Sequence, residues 1–236
     1  MLDVAIRRVD GTRTVDPALL SVRATPPLPV SAALSTVLPG GLRRGSTVVV
    51  SGSVSLLLAL LGEASAGGAW CALVGFPRIS AEAASEYGIE LSRLAIIPPL
   101  TSDGLRSEQS RTGASWTTAV GALLDALDVV AARPPRLVPG DVRRLAARAR
   151  NRDAVLVPYL TGDADWPGAD VRLSADEPHW TGIGDGTGRL VARQVHVHAQ
   201  GRGTAARPRE ATLWLPAHGG GIDVVTPVAP VIDLAG

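Results

Sequence analysis

The residue types able to do chemistry are unevenly supplied in this 236-residue sequence. It contains no Lys, so all 23 cations counted as Lys+Arg are Arg. A P-loop Lys, a Schiff-base Lys and a Lys general base are therefore excluded. The single cysteine, Cys71, excludes an intrachain disulfide. Its neighbours Ala69-Trp70 and Ala72-Leu73-Val74 make it a small core hydrophobe rather than a nucleophile. No Gly-x-Ser-x-Gly elbow is present to carry a serine nucleophile. His196 and His198 lie two apart, which on a strand places both on one face. A metal needs at least one more ligand, and no third His, Cys or Asp stands at a useful spacing. The pair is expected to be the polar face of a half-exposed strand, with no metal bound. Asp163, Asp165, Asp170, Asp176 and Glu177 fall among Gly and Pro, and no acid–base role is assigned to them.

The densest charge lies in residues 141–151, expected to form a helix capped by Asp141. It carries Arg143, Arg144, Arg148 and Arg150, with Arg152 just beyond. Arg144, Arg148 and Arg152 recur at i, i+4 and i+8 and form one exposed ridge, with Val142, Leu145, Ala146 and Ala149 on the buried side. Such a ridge suits DNA phosphates or an acidic partner. The alternative is a solvated face whose last-turn cations complement the helix dipole. As an exposed face it should tolerate reversal to Glu at under about 0.5 kcal/mol per site.

These residues need a scaffold, and the composition provides for one. The chain is 46% hydrophobic and 19% charged, with a mean hydropathy of +0.21. That excludes wholesale disorder. A chain this long buries roughly 70% of its unfolded surface. Aromatics are only 3%, so the core must come from Ala, Val, Leu and Ile. A formal charge of +1 argues against a globally basic nucleic-acid binder. No apolar leader is visible at Met1-Leu2-Asp3-Val4, and Ser51-Gly52-Ser53 interrupts the uncharged stretch 46–62. A soluble, cytoplasmic protein is expected.

Strands and helices alternate from about residue 39. Thr47-Val48-Val49-Val50 predicts a buried strand and residues 54–66 a helix stopped by Gly67-Gly68. Strands follow at 69–74, 94–97, 128–132 and 154–157. Between them lie helices at 81–87, with Ser80 as N-cap, and 114–127, where Trp116, Val120, Leu123, Leu124 and Leu127 make the core stripe. Residues 100–113 read as loop. Strand–helix alternation implies a mostly parallel sheet covered by helices on both faces. After Trp166, residues 171–174, 189–198 and 211–215 alternate apolar and polar without helices, and imply antiparallel C-terminal strands. The organisation is an N-terminal extension (1–27), a core domain (28–216) and a flexible tail (217–236). In the tail, Ile222-Asp223-Val224-Val225 and Val231-Ile232-Asp233-Leu234 could dock as an added strand or remain unstructured.

The order of these pieces resembles the RecA-type ATPase core from about residue 28 to 216. Leu38-Pro39-Gly40-Gly41-Leu42-Arg43-Arg44-Gly45-Ser46-Thr47-Val48-Val49-Val50 is similar to the lead-in to the recombinase P-loop strand. Glu82-Ala83-Ala84-Ser85-Glu86-Tyr87-Gly88-Ile89-Glu90-Leu91-Ser92-Arg93-Leu94 is similar to the helix, turn and strand after the second core strand. The resemblance implies a nucleotide site, and the residues needed for one are missing. A P-loop needs several glycines, a Lys and a following Ser/Thr. Here the chain reads Gly52-Ser53-Val54-Ser55-Leu56-Leu57-Leu58, a degenerate loop. Arg133 stands where the family carries its Mg²⁺-associated Asp, and Phe76-Pro77 where it carries a catalytic Glu. No ATP hydrolysis and no cofactor are therefore expected. Ser53 and Ser55 should be free hydroxyls whose removal is harmless.

A degenerate RecA-like core in a Lys-free chain of this size most resembles the actinobacterial ImuA-type (ImuA') mutagenesis accessory proteins. That resemblance implies a non-enzymatic adaptor in damage-induced mutagenesis and translesion synthesis. Its partner would be an ImuB-type inactive relative of Y-family polymerases and, through it, an error-prone C-family polymerase. A weak DNA contact through the Arg helix and association with the nucleoid when recruited go with this reading. A DNA-binding or recombinase-modulating RecA-like protein and an ATPase with an unusual nucleotide site are the alternatives.

Overall fold

A β-branched run flanked by turns belongs in the middle of a sheet, and Val48-Val49-Val50 sits there. The computed structural model describes residues 25–99, 109–162, 164–184 and 187–225. The extension and tail readings at 1–24 and 226–236 lie outside the described residues, as does the loop at 100–108. The elements in chain order are α1 (Ala32–Ser35), β1 (Val48–Ser51), α2 (Val54–Ala66), β2 (Cys71–Val74), α3 (Ala81–Glu86), β3 (Leu94–Ile97) and α4 (Gln109–Ala126). There follow β4 (Val129–Ala132), α5 (Pro139–Asn151), β5 (Val155–Leu160), β6 (Val171–Gly184), β7 (Thr187–Gly201), β8 (Arg209–Trp214) and β9 (Asp223–Val224). One nine-stranded sheet runs β3-β2-β4-β5-β1-β6-β7-β8-β9. Pairing is parallel from β3 through β6 and antiparallel from β6 to β9.

The period of two along each strand divides the core. Val48, Val50, Cys71, Leu73, Val129 and Ala131 pack with α1, α2 and α3 on one face. Val49, Ala72, Val74, Val130 and Leu156 pack with α4 and α5 on the other. α2 is the innermost helix, with Leu56, Leu57, Leu60 and Leu61 fully buried. Each such leucine contributes about 1.5–3 kcal/mol of burial. Gly62 lets the end of α3 cross this helix closely, since a Cβ there would lie 1.8 Å from the Tyr87 carbonyl oxygen. In the antiparallel strands the inward residues Leu173, Val195, Val197 and Leu213 all join the α1–α2 side. Their opposite face has no helix over it among the described residues, so Ser174, Asp176, His196, His198, Glu210 and Thr212 stay open.

Several expectations are corrected. α4 begins at Gln109, inside the stretch read as loop. α5 is entered through Val138 with Pro139 in the first turn, not through an Asp141 cap. The antiparallel C-terminal strands stand as expected, and β6 joins them to the parallel sheet through β1, with Val50 opposite Leu173. The stretch read as a flexible tail contributes β9, with Asp223 opposite Trp214 and Val224 opposite Leu213. The added-strand alternative therefore describes residues 223–224, within this chain. Of the α4 stripe, Trp116, Val120 and Leu124 are buried, while Leu123 and Leu127 are half-buried.

Candidate functional site

The expected nucleotide crevice lies between the end of β1 and the start of α2. Gly52 turns the chain with φ +80°, and a Cβ there would sit 2.2 Å from the Ala175 carbonyl oxygen on β6. The turn is thus pressed against the sheet, where a phosphate-binding loop has to stand open. Ser53 is buried in extended conformation and caps α2, its Oγ accepting from the Leu56 N–H at 3.2 Å. Its hydroxyl is not free, which corrects the expectation that its removal is harmless. Ser55 faces Tyr87, whose phenol is raised above its ordinary value by burial and eased back by Ser55 and Arg193.

Arg193 on β7 closes this crevice. Its Nη2 donates to Ser53 Oγ at 3.0 Å, and its Nε donates to the Leu215 carbonyl at 2.7 Å. Trp180 stacks on the guanidinium, with Cζ 5.3 Å from the ring centroid. Burial lowers the Arg193 pKa from its ordinary value, and the Tyr87 phenol offsets part of this. A cation beside the positive end of α2 is electrostatically unfavourable, so its fixed hydrogen bonds and the Trp180 face must hold it there. Arg193 lies 140 residues from Ser53, and neither spacing nor periodicity in the sequence announces the contact.

Of the other two positions, the one after β2 is filled by core packing and the one after β4 by an exposed cation. Phe76 is buried at the end of β2 against Tyr159, with ring centroids 5.6 Å apart, and Pro77 after it is exposed. Arg133 is exposed at the end of β4, where its backbone N–H donates to the Val74 carbonyl. Burial raises the Tyr159 phenol, with Arg133 partly offsetting the rise. Phe76, Pro77 and Arg133 offer no oxygen ligand to a metal ion.

The Arg ridge divides. Arg148 and Arg152 both grip Asp125 on α4, Arg148 through Nε at 2.9 Å and a second bond from Nη2, Arg152 through Nε at 3.0 Å. Their hydrogen bonds and charges hold the Asp125 carboxyl down at about 2. Arg144 pairs within its helix with Asp141 at 3.5 Å. Arg143 and Arg150 are exposed and have no acidic partner among the described residues. Reversing Arg148 and Arg152 would set two anions against Asp125, so the expectation of a freely reversible ridge is corrected. Ala146 is half-buried rather than buried.

The carboxylates without an assigned role are mostly architectural. Asp170 accepts from the Thr47 N–H at 2.9 Å and pairs with Arg43, and Asp165 pairs with Arg172. Asp128 binds Arg44 and the Trp70 N–H. Glu177 occupies the irregular register of β6, and Asp163 lies outside the described residues. Cys71 is fully buried, and burial first and the Asp128 charge second push its thiol up to about 12. His196 and His198 do share the open face of β7, but Glu210 on β8 stands beside both and Asp176 on β6 beside His198. The expectation of no third ligand nearby is thus corrected in space, because cross-strand register supplies what sequence spacing does not. The two rings draw the Glu210 carboxyl below its ordinary value.

Fold and crevice together define a RecA-like α/β domain whose phosphate-loop position is occupied by its own side chains. The RadB recombinase structure shares this fold, with a TM-score of 0.56 at 15% identity over 83% of this chain and 97% of that one. The chain belongs to the family of the MT3502 N-terminal domain, whose model matches residues 36–168. It is similar to uncharacterized protein Rv3395c of Mycobacterium tuberculosis, 32% identical over 173 residues that cover 70% of this chain and 78% of that protein. No helix among the described residues is long and apolar enough to cross a membrane.

Proposed function

We propose that this protein is a non-catalytic RecA-like adaptor in damage-induced mutagenesis and translesion DNA synthesis, binding an ImuB-type polymerase-like partner and, through it, an error-prone C-family polymerase. The observation that carries the non-catalytic part is Arg193, seated on Ser53 at the start of α2 where a phosphate would have to enter. With the phosphate loop closed, no Lys in the chain and Arg133 at the metal position, the domain acts by binding. The partner rests on the sequence resemblance to ImuA-type proteins. The exposed Arg143 and Arg150 offer a charged contact for a partner or for DNA, and work near the nucleoid follows from such a partner.

The test is co-purification of this chain with an ImuB-type protein from the same organism, together with induced mutation frequency in a deletion strain. The expected result is a stable complex and a loss of induced mutagenesis that the intact gene restores. Unchanged mutagenesis in the deletion strain and no complex would overturn the adaptor reading. Direct, salt-dependent DNA binding without such a partner would favour a DNA-binding or recombinase-modulating protein instead.

A further inference from the structure

The open face of β6, β7 and β8 gathers metal-ligating groups that neither the crevice nor the adaptor reading uses. Register puts them there. His198 lies opposite Glu210, and His196 opposite both Thr212 on β8 and Asp176 on β6. One potential ligand atom from each of His196, His198 and Glu210 falls within 4.8 Å of the others. His196 Nε2 is 3.5 Å from Glu210 Oε2, and His198 Nδ1 is 3.2 Å from Glu210 Oε1. Around a tetrahedral zinc with bonds of about 2.0–2.1 Å, neighbouring ligand atoms lie about 3.3–3.4 Å apart. Each histidine nitrogen already stands near that spacing from one oxygen of Glu210, and the two nitrogens fall within 4.8 Å of each other.

The outward ring nitrogens are also partnered. His196 Nδ1 lies 3.3 Å from the Thr212 hydroxyl, and His198 Nε2 lies 3.4 Å from Asp176 Oδ2. A histidine that ligates a metal characteristically donates its other N–H to such an oxygen, which fixes the tautomer and aims the lone pair. With the proton held on the Thr212 and Asp176 sides, His196 Nε2 and His198 Nδ1 are the nitrogens left to ligate. These are the nitrogens that approach the Glu210 carboxylate, so an ion would take the place of their contacts with it. Three paired strands hold the groups, a more rigid support than a loop.

We propose that His196 Nε2, His198 Nδ1 and the Glu210 carboxylate form a binding site for a divalent first-row transition ion, zinc foremost. Two imidazoles and one carboxylate are the donor set for such an ion rather than for Mg²⁺ or Ca²⁺, which take oxygen ligands. Both rings remain about one-third exposed, so the ion can enter from solvent and keep a water in its remaining position. The site is independent of the adaptor reading.

Isothermal titration of zinc into the full, tag-free chain tests this. One ion per chain should bind with micromolar affinity. His196→Gln/His198→Gln and, separately, Glu210→Gln should each weaken binding at least tenfold at an unchanged melting temperature. His179→Gln/His218→Gln, which removes the other two histidines, should leave it intact. No zinc binding by the wild-type chain at a hundred micromolar would overturn the proposal. So would equal binding by the His196/His198 variant, or loss of binding in the His179/His218 variant.

Discussion

The two halves of the sheet share one hydrogen-bonded ladder but treat their polar residues in opposite ways. In the helix-covered half, from β2 to β1, both faces are buried, and the phosphate-loop and β2-end positions of a RecA-like ATPase are spent on architecture. Ser53 is a helix cap, Phe76 is core and the Gly52 turn is pressed against β6. In the antiparallel half one face is buried and the other faces solvent, and there His196, His198 and Glu210 stand together. Polar side chains in a doubly covered sheet must be satisfied internally, so they become structural. On a one-sided sheet they stay available for a ligand.

This contrast predicts graded effects. Leu60 is fully buried in α2. Leu60→Ala should lower stability by about 2–5 kcal/mol in chemical denaturation, through lost burial and a residual cavity. Gly62→Ala should come next, at about 1–3 kcal/mol, because its Cβ would meet the Tyr87 carbonyl and overpack the α2–α3 crossing.

Ser53→Ala should cost about 1 kcal/mol through the lost cap, whereas Ser55→Ala should cost less. Equal effects would erase the distinction drawn between the two hydroxyls. Asp125→Asn should have a smaller effect at neutral pH, read as melting temperature against pH. A depressed carboxyl contributes stability above its ordinary 3.8 that is lost as pH falls towards about 2. The variant lacks that contribution and should show a flatter acid limb over this window. His196→Gln, on the open face, should change stability by under about 0.5 kcal/mol. A larger loss would mean that the open face is as structural as the covered one.

What the sequence made legible follows the range of the signals. α2 matches its expected span because Ser53 and Gly67 are local caps, and β3 matches because Pro98-Pro99 ends it. The first turns of α4 were missed because Gln109-Ser110-Arg111-Thr112-Gly113 has no apolar stripe to show helical period. The length of the β6–β7 hairpin was missed because Glu177-Pro178 and the glycines at 182, 184, 186 and 188 break the alternation. The missing P-loop residues could be read position by position. The Arg193–Ser53 contact could not, since it forms only through tertiary packing. Glu210 as a neighbour of both histidines, and Asp125 as the anchor of Arg148 and Arg152, are likewise products of register and helix packing.

The central claim is that the RecA-like crevice is closed to nucleotide by the chain's own side chains. Titration calorimetry of ATP with Mg²⁺ into the wild-type protein tests it most directly. The account predicts no saturable heat at millimolar nucleotide and no phosphate release. Stoichiometric binding at micromolar ATP would contradict it, because Arg193 would then have to leave Ser53 and the Gly52 turn would have to lift from Ala175.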